Sequence, residues 1–206
     1  TWRCIEIDLN RQFEESDMAD LWVRGELSDR AVRDMEAIDG VASAQRRVAA
    51  QFKAEELSEE PNVTLLMNEG EPIVCRPLLR EGILPSAKDQ CMLGQRFARA
   101  HGLTIGDTLR LTMGDRVLSL TIVGLGNMPE YVVASDGNEM APSPLRNGYA
   151  YVAQGTLGFL PYSQIALTIE PGADLKAVRA AVESLTKDQR VVIIERDDVF
   201  GVKMAM

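Results

Sequence analysis

The sequence predicts an α+β fold of two lobes, and three observations carry that prediction. A strand–helix–strand pattern opens the chain, from Asp20 to Phe52. A second one, of similar length and order, closes it, from Ile165 to Ile194. Between them the composition shifts to short alternating strands broken by Gly70, Pro72, Pro77, Gly82 and Pro85. Two β-α-β units can share one sheet, while the middle folds as a separate, β-rich lobe. The expected division is a discontinuous subdomain of residues 1–69 plus 150–206 and an inserted subdomain of 70–149.

Each element has its own signal. Ile5, Leu9 and Phe13 lie four apart, which favours a helix, although 5, 7 and 9 also alternate as in a strand. Asp20-Leu21-Trp22-Val23-Arg24-Gly25 reads as a strand. Ser28 is an expected N-cap, with Asp29 in the first turn. Ala31, Val32, Met35 and Ile38 then form a helical apolar stripe that Gly40 ends. Val41 to Phe52 is a long strand with Val41, Ser43, Gln45, Arg47, Ala49 and Gln51 on one side; its imperfect alternation predicts a bulge. Val63 to Met67 is the next strand, after a turn at Pro61. Near the C-terminus, Tyr149, Tyr151 and Val152 mark a strand, as do Ile165 to Ile169. Asp174 caps a helix with Leu175, Val178, Val182 and Leu185 on one face, and Val191 to Ile194 is a final buried strand.

The most patterned stretch runs from Cys91 to Gly124. Met92, Leu93, Phe97 and Ala100 recur at helical spacing up to a stop at Gly102. Leu103-Thr104-Ile105-Gly106-Asp107 then turns into two arms. Leu109, Leu111 and Met113 alternate with polar residues on the first arm, and Leu118, Leu120 and Ile122 on the second, across Gly114-Asp115. That is a β-ribbon with one buried face. Asn127-Met128-Pro129-Glu130-Tyr131-Val132-Val133 follows as an edge strand begun by proline, and Ser135 to Asn147 as a loop.

Composition narrows the function. The 206 residues carry a net charge of −9, which argues against a nucleic-acid partner, since such partners need a basic stripe. No apolar run is long enough to span a bilayer. The chain opens at Thr1-Trp2 with neither an initiator Met nor a signal-peptide pattern, as expected of a segment of something longer. Cys4, Cys75 and Cys91 are far apart and odd in number; isolated thiols or one disulfide both fit.

No catalytic, cofactor-binding or metal-binding residue is expected. His101 stands alone, at a helix C-terminus where a cation is favoured. There is neither a phosphate-binding G-x-x-x-x-G-K-S/T nor a strand followed by G-x-G-x-x-G, so no nucleotide cofactor is expected. Glu14-Glu15, Glu55-Glu56 and Glu59-Glu60 sit in polar settings that suit solvation rather than acid–base work. Asp197-Asp198 falls short of the roughly six or more oxygens that calcium wants. Tyr131, Tyr149, Tyr151, Phe159 and Tyr162, with Met113, Met128 and Met140, either line a binding surface or pack internally; convergence in one exposed patch decides.

Several of these residues also carry a resemblance. Ala98, Gly102-Leu103, Gly106-Asp107, Leu111 and Val123-Gly124 resemble the extracytoplasmic domain of MacB/FtsX-type ABC-transporter permeases. Asp20-Leu21-Trp22-Val23 with Gly40-Val41 looks like the family's opening β-α-β unit. Leu78, Gly82, Leu84 and Pro85 match its approach to the Gly-Asp turn, and Pro129-Glu130-Tyr131 looks like the segment that closes its hairpin. The resemblance implies a porter-like subdomain with an inserted smaller one, on the extracytoplasmic side of the cell membrane, with both termini entering the same membrane surface. It implies no enzymatic activity. The partners it implies are a separate ABC ATPase, a second permease copy or homologue, and a lipid-like or peptide substrate or an adaptor protein. ATP hydrolysis elsewhere would drive export, or signalling at the cell surface. A free-standing solute-binding or adaptor module is the alternative, and a thiol enzyme using Cys91 near His101 a further one.

Overall fold

In the computed structural model, which describes residues 11–25, 27–28, 30–132 and 143–200, ten strands join in one mixed sheet. In chain order they are β1 (Leu21–Gly25), β2 (Val41–Lys53), β3 (Asn62–Asn68), β4 (Leu78–Gly82), β5 (Gln90–Gly94), β6 (Thr108–Met113), β7 (Arg116–Asn127), β8 (Asn147–Val152), β9 (Gln164–Ile169) and β10 (Val191–Glu195). Besides the helical residues 11–15, five helices accompany them among the described residues: α1 (Ala31–Glu36), α2 (Gln95–His101), α3 (Pro129–Val132), α4 (Leu175–Thr186) and α5 (Arg196–Phe200). The spatial order is β10-β1-β9-β2-β3-β8-β5-β7-β4, with β6 bridging β7 and the end of β2.

The two terminal β-α-β units interleave. β9 lies between β1 and β2, and β1 lies between β9 and β10, every pair antiparallel. Helices α1 and α4 cover one face, where Ala31, Met35, Val178 and Val182 pack on Leu21, Val23, Ala44, Ile165 and Leu167. The bulge expected in β2 falls between Val41 and Ser43; the extra residue lets Val41 and Ala44, three apart, reach the same core. Asp174 caps α4 by accepting a hydrogen bond from the Lys176 backbone N–H.

The middle segment shares this sheet rather than building its own. It enters through the parallel pair β3–β8 and continues through β5, β7 and β4. Its core gathers Phe52, Val63, Leu65, Met67, Cys91, Leu93, Phe97, Leu109, Leu111, Leu120, Ile122, Ala150 and Leu157. Val63, Leu65 and Met67, with Ala150, Val152 and Leu157, share this core with the residues of the middle segment. The apolar arms of the β6–β7 ribbon form one wall of this core, paired Leu109 to Leu120 and Leu111 to Leu118.

Four local expectations need correction. Cys91, Met92 and Leu93 belong to strand β5, and the helix starts only at Gln95, because these apolar residues pair with β7 and β8 instead. The segment after the ribbon is not a strand; Pro129, which cannot donate to a ladder, opens one helical turn. Ser28 is not the N-cap of α1, which begins at Ala31 after Arg30, and Asp29 lies outside the described residues. β10 is an edge strand rather than a buried one, with Val192 62 % exposed. Residues 11–15 are helical, the first of the two expected readings; Cys4, Met140, both termini and most of the 135–147 loop lie outside the described residues.

Candidate functional site

The residues that carry the family pattern hold the backbone in place. The Ala98 carbonyl accepts from the Leu103 N–H at 2.9 Å, and Gly102 ends α2 in the left-handed conformation. The Gly106 N–H bonds the Ile122 carbonyl, and the Asp107 carboxylate accepts from the Thr104 N–H at 2.7 Å, so the Gly-Asp pair fixes the entry to β6. A Cβ at Gly124 would meet the Ile83 carbonyl oxygen at 2.3 Å, which only glycine avoids.

Sequence-level candidates for chemistry stay apart. Cys91 is buried in the core on β5, and burial alone pushes its thiol up to about 12. His101 ends α2 and packs its ring on Phe97, centroids 4.4 Å apart; no hydrogen bond joins it to Cys91. Both described thiols, Cys75 and Cys91, are free. The Glu14-Glu15, Glu55-Glu56 and Glu59-Glu60 pairs are exposed, as are Asp197 and Asp198, and no group of metal-ligating side chains occurs among the described residues. The aromatic residues do not form an exposed patch. Tyr149 and Tyr151 are buried with Met128 and Met92, with Tyr131 against them, while Arg46 covers Tyr162 and Arg116 covers Phe159.

What the sequence did not mark is a buried polar cluster on β2. The side of the strand that carries Gln45 and Arg47 holds its polar residues, yet these two are buried: Gln45 is 4 % exposed and Arg47 is 0 %. Gln45 accepts from the Asn68 side chain and from the Ile73 and Val74 backbone N–H groups, pinning the chain after β3. Arg47 spreads its fork on Glu130 of α3, with Nη1 donating to Oε1 at 2.7 Å and Nη2 to Oε2, while its Nε donates to Gln164 on β9. The Trp22 Nε1–H donates to the same Glu130 at 3.1 Å. Glu130 is the middle residue of the Pro-Glu-Tyr tripeptide, so the resemblance pointed at its position without giving its role.

Electrostatics keep the Arg47 guanidinium charged. Burial pulls the Arg47 pKa down, but the Glu130 carboxylate at contact distance more than compensates and the net shift is upward. Cys75 lies next to the pair, held at a positive φ of 50° with its Sγ accepting from the Ala19 N–H. Burial, then the Glu130 charge, push this thiol up to about 12.

The location of Arg47 gives the cluster its meaning. β9 pairs with β2 from Val41 to Arg47, and β3 pairs with it from Arg47 to Lys53. Arg47 alone stands opposite both, facing Gln164 on one side and Asn68 on the other. In register the two half-sheets thus overlap at Arg47, and one further backbone bond, from the Glu69 N–H to the Arg46 carbonyl, crosses the same junction. On the covered face, one apolar cluster around Met18, Trp22, Val74 and Ala166 lies to one side, and another around Leu66, Met92, Met128 and Tyr151 to the other. Glu130, delivered by the ribbon of the second half, closes over the junction and reaches Trp22 on β1 of the first.

Comparison with known proteins agrees with the residue pattern. No curated relative matches the chain. Among solved structures, the periplasmic region of MacB from Actinobacillus actinomycetemcomitans superposes with a TM-score of 0.51 at 9 % identity, covering 92 % of this chain and 94 % of that one. The extracellular domain of the noncanonic ABC-type transporter YknZ from Gram-positive bacteria superposes with a TM-score of 0.54 at 12 % identity, covering 86 % and 99 %. The family profile of the MacB-like periplasmic core domain matches residues 7–185. With that profile spanning most of its length, the chain belongs to the MacB-like periplasmic core domain family.

Proposed function

We propose that this chain is the extracytoplasmic part of an ABC-transporter permease and relays ATP hydrolysis, performed by a separate subunit, to a movement outside the membrane. The second element of the assembly is another copy of the permease or a homologue. The reading includes two lobes, with the porter-like one formed by the N- and C-terminal segments and the other inserted between them.

One observation carries the mechanical part of the reading: the half-sheets overlap narrowly, at Arg46 and Arg47, and a side chain from the inserted half clamps that point. Close-packed cores on either side move as units, so displacement concentrates at the junction. The first half would follow the membrane helices, and the second would swing against it. The chemistry of the site is positional; its charged groups are spent on one another.

Spin labels at Lys187→Cys beyond α4 and Asp115→Cys in the ribbon turn, both exposed positions, report the relative orientation of the halves. In the full-length permease reconstituted with its ATPase, the distance distribution should shift between nucleotide-free and ATP-bound states. A distribution that stays fixed while the ATPase turns over would sink the relay.

A further inference from the structure

Beside the Arg47–Glu130 pair lies a cleft of about 380 Å³ that the pair itself does not fill. Its floor is the sheet, with Arg24 on β1 and Gln164 on β9; its walls include Gln51, Thr64 and Tyr131. Arg24 and Gln164 are direct cross-strand partners, so their side chains leave the sheet on one face about 5 Å apart at Cβ.

Gln164 is the informative residue. It is 1 % exposed, and its Oε1 accepts from the Arg47 Nε–H, which fixes the orientation of the amide. The Nε2 donor, on the other branch, is buried with no acceptor. A buried donor left unmatched is costly, so the position calls for an acceptor supplied from outside the chain. Arg24 is exposed and, among the described residues, forms no ion pair. Glu130 cannot serve either group, because Arg47 and Trp22 occupy it. Tyr131 offers a neutral hydroxyl at physiological pH, since burial pushes it up to about 12. Among its polar groups the cleft therefore offers a cationic donor on Arg24 beside the unmatched Gln164 amide donor, with a local formal charge of plus one from Arg24, Arg47 and Glu130. That is unusual in a chain of net charge −9.

We propose that this cleft binds a carboxylate, gripped by the Arg24 guanidinium and the Gln164 Nε2–H. A planar carboxylate accepts two roughly parallel N–H bonds, which suits a guanidinium fork beside a fixed amide. The volume admits the carboxylate with a few further heavy atoms, so the group can come from a peptide C-terminus or a free organic acid. The inference rests on the sheet register and the unmatched donor, and does not depend on the relay proposed above.

The test is a titration of the ¹⁵N-labelled 206-residue chain, read at the Gln164 side-chain amide, at about 150 mM salt so that general attraction is screened. Probes are tri-alanine, C-terminally amidated tri-alanine, and acetate. Tri-alanine should give a saturable shift that the amidated peptide does not. Acetate matching its affinity assigns the site to the carboxylate alone; a clear advantage for tri-alanine assigns it to a peptide terminus. Arg24→Gln, an exposed position whose change leaves the melting temperature in place, should weaken binding about tenfold or more. Gln164→Glu keeps an acceptor for Arg47 but replaces the free donor with a negative charge, and should abolish binding. The proposal is overturned by the lack of a saturable shift, by an equal response to the amidated peptide, or by unchanged affinity in Arg24→Gln.

Discussion

Arg46 and Arg47 are neighbours on one strand, yet they belong to different physical regimes. Arg46 points to the helix-bearing face, where it pairs with Glu69 at 2.6 Å and lies over the Tyr162 ring at 4.3 Å. Glu69 remains 38 % exposed in that pair. Arg47 points to the other face and pairs with Glu130, the two side chains 0 % and 4 % exposed. Glu69 follows the strand next to β2, whereas Glu130 arrives from the far side of the ribbon. One residue of register separates a pair whose carboxylate still meets water from one that water never reaches. A pair at the junction of two half-sheets therefore has leverage only on its dry side.

The largest expected effect tests that asymmetry directly. Arg47→Met or Glu130→Leu alone strands the other charge in a site without water, and each should cost about 3–5 kcal/mol in urea unfolding. Arg47→Lys should fall in the same range, because an ammonium cannot span both Glu130 oxygens and Gln164. Combining Arg47→Met with Glu130→Leu removes both charges and should return stability to within about 1–2 kcal/mol of the parent. If the double variant is as unstable as the singles added together, the two residues do not act as a pair. Trp22→Phe, which deletes one donor to Glu130 and retains most of the ring, should cost about 1–2 kcal/mol.

Alkaline pH probes the same buried face by a different route. Cys75, Cys91, Tyr131, Tyr149 and Tyr151 are all pushed up to about 12, mainly by burial, from ordinary values of 9 for the thiols and 10 for the phenols. The folded chain keeps these protons to higher pH than the unfolded chain does. Their stabilisation is complete below about pH 9 and declines as pH rises toward 12, each unit of difference being worth about 1.4 kcal/mol. The urea midpoint should therefore be flat from pH 7 to about 8.5 and fall steadily above it. At pH 8 the two buried thiols should react with a disulfide reagent at least about a hundredfold more slowly than after unfolding. Fast reaction of Cys75 in the folded chain would mean that the clamp opens readily.

Much of this architecture was legible in the residues. Alternation located the ribbon, because its arms bury one side and expose or half-bury the other, and a break in alternation located the bulge in β2. Cys91 to Leu93 misled because an apolar run buried on both faces carries no period, and helix and strand look alike there. The buried cluster was hidden for the opposite reason. Gln45 and Arg47 look like the wet side of a strand, and only the long-range arrival of Glu130, 83 residues away, converts that side into an interior. A strand with no wholly apolar side, followed much later by a carboxylate in an otherwise apolar turn, is the one signal that could have raised the question.

The smallest effect sharpens the comparison from the partly exposed Arg46–Glu69 pair. Removing the Glu69 charge with Glu69→Gln breaks a pair of nearly ideal geometry, but solvent screens it and Tyr162 still holds the Arg46 guanidinium. The expected loss is below about 1 kcal/mol, and it should shrink further in about 1 M salt, where the Debye length is near 3 Å. The cost of Glu130→Gln should be several times larger and almost independent of salt, since no ion reaches that oxygen. Running both variants in the same salt series separates the two regimes without reference to absolute stability. Should Glu69→Gln prove as costly and as salt-insensitive as Glu130→Gln, the distinction between the faces of β2 is lost, and with it the case for placing the hinge at Arg47.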